Sequence, residues 1–119
     1  MTNNAAEYAD SILSQIEEGV SNGAPFGISE GYGDVPEGQE LGAYDYLEGI
    51  LDIQYIVNSD RTYRGARVCI AFGGPTAWIN TQSGQLEVAW WSAPEYRRLP
   101  GDFIDALDDA LSELWDMGA

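Results

Sequence analysis

Carboxylates dominate the chemistry this chain can offer, since 20 Asp and Glu stand against 5 bases, all arginine, in 119 residues without lysine or histidine. Clustered carboxylates do two familiar kinds of enzymatic work: they hold Mg²⁺ for phosphoryl transfer, or they pair for glycoside hydrolysis. Both need acids converging on one pocket, often beside a cation that neutralises developing charge. Helical spacing sends these acids outward instead, so an enzyme is not expected. Without histidine, and with Cys69 as the lone cysteine, structural zinc, His-ligated haem, Ser-His or Cys-His nucleophile pairs and an internal disulfide are excluded by inventory. No cofactor or metal is expected. Cys69 alternates with Val68 and Ile70 and reads as a small buried residue rather than a reactive thiol.

The acids are unevenly spread. Residues 1–60 hold twelve acids and no base, 61–101 two acids and all five arginines, and 102–119 six acids and no base. The last set is Asp102, Asp105, Asp108, Asp109, Glu113 and Asp116. On a helix these six span about 21 Å, or one charge per ~3.5 Å, close to the ~3.4 Å charge spacing along one DNA strand. Glu7, Asp10, Glu17 and Glu18 form a second set near the amino terminus, joined by Glu30, Asp34 and Glu37 in a loop. Solvated helix faces usually mix signs, because like charges at i,i+3 and i,i+4 repel by a few tenths of a kcal/mol. One reading is an acidic surface that merely keeps the protein soluble; the other is a recognition surface for a basic groove built to hold nucleic acid. Direct contact with nucleic acid or an anionic membrane is not expected, since both need clustered Lys and Arg. The stretch ISEGYGDVPEGQE lacks the alternating acids of a calcium loop.

Arg61, Arg64, Arg67, Arg97 and Arg98 all fall on or beside candidate strands, where pairing with neighbouring carboxylates is the expected role. Trp90 and Trp91 are adjacent on a candidate strand, so their side chains should point to opposite faces. One belongs to the core. The other, taken as Trp91, is either covered by a neighbouring segment or anchors a partner.

Three helices and a sheet must position these groups. Tyr8, Ile12, Leu13, Ile16 and Val20 share one side of a helix over 5–20, with Asn4 as N-cap and Gly19 or Gly23 ending it. Residues 21–40, rich in Gly with Pro25 and Pro36, read as an irregular surface loop. A short helix over 41–50 should place Tyr44 and Leu47 inward and Asp45 and Glu48 outward. Periodicity then becomes two, with strands at 53–57, 66–72, 77–80 and 85–91 and a possible edge segment at 95–99. Val68, Ile70 and Phe72 should share one face, as should Leu86, Val88 and Trp90, and both sets should meet the helices. Phe103, Ile104, Leu107, Ala110, Leu111, Leu114 and Trp115 form the apolar stripe of a last helix over 102–115. The fold class is α+β: an antiparallel meander of about four strands with an N-terminal helix, a short middle helix and a C-terminal amphipathic helix packed on the sheet. A chain this short is expected to form one domain, 1–119. It shows no secretory leader and no long apolar run, which suggests a soluble cytoplasmic protein.

The stretch GGPTAWINTQSGQLEVAWW, followed closely by FIDALDDALSELWD, resembles small acidic proteins encoded by bacteriophages and other mobile elements. The resemblance spans roughly residues 50–116 and rests on the Gly-Gly-Pro turn, the Trp strand, the Trp-Trp pair and the acidic last helix. It implies an anti-CRISPR or anti-restriction protein of the DNA-mimic type. The partner would be a host defence protein or ribonucleoprotein with a basic groove, in the cytoplasm of an infected bacterium. It carries over no catalytic residue, and this chain has a more developed sheet than extended helical mimics. The alternative class is a protein-interaction or dimerisation module using an exposed Trp on the sheet, leaving monomer and homodimer both open. A metal-dependent hydrolase is a third reading.

Overall fold

The computed structural model describes residues 4–31, 36–91 and 93–118. Helix α1 (Asn4–Ser21) leads through a loop to α2 (Ala43–Glu48), followed by strands β1 (Asp52–Val57), β2 (Tyr63–Ala71), β3 (Thr76–Asn80), β4 (Gln85–Ala89) and β5 (Glu95–Arg98), and helix α3 (Gly101–Asp116). The strands form one antiparallel sheet in the order β1-β2-β3-β4-β5. The fold is therefore α+β, and the possible edge segment after Pro94 pairs fully with β4 as the fifth strand. Among the described residues, no helix is long and apolar enough to cross a membrane.

Strand alternation divides the sheet into two faces. Ile53, Val68, Ile79 and Leu86 stand in register across four strands, with Ala66, Ala77 and Val88 on the same side. The helices close over that side. Phe103, Leu107 and Leu111 of α3 are fully buried against it, and Ala5 and Ala9 let α1 approach β4 and β5 closely. The other face stays open. Its two central rows are Gln54, Arg67, Asn80, Gln85, Arg98 and Asp52, Cys69, Trp78, Glu87, Tyr96. Cys69 lies buried there, its Sγ directed at the Ala71 carbonyl at 3.3 Å.

Several local expectations change. Register slips between Cys69 and Ala71, so Ala71 and not Phe72 faces Ala77 on the helix side, and Phe72 is 79% exposed. Strand β4 stops at Ala89, so the Trp pair lies beyond it and strand alternation does not govern their directions. Helix α2 is shorter than expected because Asp45 turns back to accept the Gly42 N–H at 2.8 Å, and Tyr46 rather than Tyr44 enters the core. The loop after α1 is more ordered than an irregular loop. Ser29 N–H donates to Gln39 at 2.8 Å, Gly38 N–H to Ser29 at 2.9 Å, and Ile28 bridges to Glu40. At the end of α1, Ala24 N–H donates to the Gly19 carbonyl and Gly23 N–H to Val20, with Gly23 at φ 76°. That paired closure needs a left-handed residue, which is why Gly23 and not Gly19 ends the helix.

Candidate functional site

The helix layer is built so that its outer surface is anionic. At 100° per residue, Asp102, Asp105, Asp109, Glu113 and Asp116 fall within an arc of about 80°, opposite the buried stripe of Phe103, Leu107 and Leu111. Asp108 stands about 60° outside that arc. The structure gives it a different task. It is half-buried and accepts the Tyr63 hydroxyl at 2.6 Å, tying α3 to β2. Burial, with the Asp108 carboxylate adding to it, holds the Tyr63 phenol well above its ordinary pKa. Asp108 is thus a structural acceptor that ties α3 to β2, set apart from the outward arc of the other five.

On α1, Glu7, Asp10, Glu17 and Glu18 occupy an arc of about 100° facing away from Ala5, Ala9 and Ile16. All four are exposed. Asp10 is compensated, accepting from Arg97 Nε at 2.7 Å. Arg97 comes from the helix-facing side of β5, in register with Leu86, and also meets Glu95 at 3.6 Å. Glu30 and Glu37 are exposed on the loop beside α1, and Asp34 lies outside the described residues.

Twelve of the acids lie on α1, α2 and α3, which carry no arginine. Among the described residues, Asp10 is the one helix acid within 4.0 Å of an arginine. The expectation that arginines hold down the acidic elements therefore applies at one point, Arg97. The strands carry four arginines, and two of them are occupied within the sheet. Arg67 donates to Glu87 at 3.2 Å and to Gln54 at 3.0 Å, and stacks 4.5 Å over the Trp78 ring. Arg64 donates through Nε to the Gln82 amide oxygen at 2.8 Å.

The Trp pair splits as a core residue and an exposed one. Trp90 packs edge-on against Tyr8 with ring centroids 5.9 Å apart. Trp91 is 91% exposed, with a left-handed backbone at φ 57° that a bulky side chain seldom adopts. Exposed Phe72 and Leu51 belong to the same end of the sheet, since Leu51 N–H donates to Cys69 at the close of β2. That aromatic end is separate from the acidic arc of α3.

Sequence reading missed a cleft of about 530 Å³ between α1, α2 and the loop between them. Tyr8, Ile12, Ile16, Phe26, Tyr46 and Ile50 line it. Phe26, Tyr46 and Phe103 form a ring cluster with centroids 5.2–5.7 Å apart, and burial pushes the Tyr46 phenol up to about 12. No linear motif marks the cleft, because its walls come from three separated segments. Among the described residues, no group of three or more His, Cys, Asp or Glu is arranged to hold a metal ion. Compared with protein-family models, with curated proteins and with solved structures, the chain matches none of them.

Proposed function

We propose that this protein is a non-enzymatic inhibitor whose acidic helix layer occupies a basic, nucleic-acid-binding groove on another protein. The observation that carries this reading is the charge segregation: twelve acids and no arginine on the helices, with one ion pair to the sheet among the described residues. Repulsion among the α3 acids costs a few tenths of a kcal/mol per pair in the free protein, and a cationic groove turns that cost into attraction. The acids that make the contact are Asp102, Asp105, Asp109, Glu113 and Asp116, with Glu7, Glu17 and Glu18 beside them. The resemblance to small acidic phage proteins extends the reading to a host defence nuclease, such as an RNA-guided complex, kept from its target DNA.

The test is competition. The purified protein should displace a DNA duplex from such a nuclease, and the effect should fade as salt shortens the Debye length below ~10 Å. The triple change Asp105→Lys, Asp109→Lys, Glu113→Lys should abolish displacement while circular dichroism stays unchanged. Undiminished displacement by the triple variant rejects the assignment.

A second reading, an apolar interaction module, is favoured by Trp91 specifically, because a Trp held in a left-handed conformation and 91% exposed is costly twice over. Under that reading Trp91→Ala weakens partner binding more than the triple charge reversal does, and salt has little effect.

A further inference from the structure

The cleft beside α1 continues into a smaller one of about 250 Å³ through shared walls at Gln15, Gly19 and Gly27. Together they follow α1 from Tyr8 to Gly19, about 16 Å of helix, and reach Asn22 just beyond its end. The floor is aliphatic and aromatic, and the walls are fixed in place. A Cβ at Gly19 would sit 2.6 Å from the Ala24 carbonyl oxygen, so Gly19 is what lets the loop close against α1. The ring cluster of Phe26, Tyr46 and Phe103 holds the far wall. A preformed apolar groove binds with little ordering cost.

Among the described residues its charged lining is of one sign: Asp45 in the larger part and Glu18 in the smaller, with no arginine in either. We propose that this groove receives a cationic amphipathic segment of a partner protein, with large apolar side chains seated on the floor and Lys or Arg meeting Asp45 and Glu18. A second copy of this chain is a poor occupant, because its three helices would bring only carboxylates to that rim. The inference rests on the reading of the helix layer as a surface for a basic partner, and it adds an apolar anchor to a contact otherwise held by charge.

Calorimetric titration of the intact protein tests it with two peptides of about 14 residues, long enough to follow the groove as a helix. One carries Leu at i, i+3, i+4 and i+7 spacing among lysines; the other has every Leu replaced by Ser. The Leu peptide should bind about tenfold tighter or more, and its NMR shifts should map to Ile12, Ile16, Ile50 and Ile70. Gln15→Trp, placed at an exposed wall position, should fill the groove and erase the advantage while leaving the Ser peptide unaffected. Equal binding of both peptides overturns the groove; if that binding is lost in the Asp105, Asp109, Glu113 triple reversal, the acidic layer survives alone. An advantage that persists in Gln15→Trp, with shifts elsewhere, also overturns it. If neither peptide binds, groove and acidic layer fall together.

Discussion

The two outward faces of this molecule share one core and treat charge in opposite ways. On the open sheet face, Arg67 of β2 is held by the Trp78 ring of β3, by the Glu87 carboxylate of β4 beyond it and by the Gln54 amide of β1 on the other side. On the helix layer, five α3 acids stand in one stripe without a cation among the described residues. Cross-strand geometry places a partner about 5 Å from every side chain, so a sheet surface relieves its charges almost automatically. A helix surface relieves them only if its own i,i+3 and i,i+4 neighbours are of opposite sign. Here they are not, and the unrelieved face is where a partner gains most.

The comparison breaks entirely if the shared core fails. Phe103 is fully buried and contacts both Phe26 and Tyr46, so Phe103→Ala should cost about 3–5 kcal/mol in urea unfolding. Both outer faces should melt in one transition. Separate transitions for helices and sheet would show that the faces are not coupled through that core.

The next largest effect lies at the tie between the layers. Tyr63→Phe removes the hydroxyl given to Asp108 and should destabilise by about 1–2 kcal/mol, measured by denaturant midpoint. The same contact has a pH signature. The Tyr63 and Tyr46 phenols are raised in the folded state, chiefly by burial, Tyr46 to about 12. Their contribution is fully present below the unfolded value of about 10 and is lost as pH rises through the folded values. Thermal stability should therefore fall from about pH 10 upward, and less steeply in Tyr63→Phe.

How much of this was legible follows from which interactions are local. The helix stripes, the turns and the acidic arcs of α1 and α3 repeat at short, regular spacing, so periodicity alone places Phe103, Leu107, Asp105 and Glu113. Phe72 was misplaced because one extra residue in β2 reverses the face, and alternation has no memory of a bulge. Asp108 looked like its neighbours until Tyr63, 45 residues away, claimed it. The cleft was invisible for the same reason, being made where Ile12, Phe26 and Ile50 converge.

A smaller effect separates the faces directly. Arg67→Ala should cost about 1 kcal/mol, since the guanidinium is half-exposed yet held by stacking, an ion pair and an amide. Glu87→Gln should recover part of that loss in the double variant, because the abandoned carboxylate no longer lacks its cation. Full additivity would show that the pair contributes nothing.

The smallest effect has the opposite sign, and it bears most closely on function. Asp105→Asn, Asp109→Asn and Glu113→Gln each remove a like charge from an i,i+3 or i,i+4 neighbour, so the first two should each stabilise the free protein by a few tenths of a kcal/mol, and Glu113→Gln by less, because that carboxylate also accepts from the Tyr44 hydroxyl. Salt should produce the same gain in the parent by screening, and should add little once all three are neutral. A protein under no demand to keep those carboxylates bare would lose nothing by exchanging them. If instead the neutral variants are less stable, the stripe is already compensated, and its value as a surface for a cationic partner disappears with the repulsion that was meant to create it.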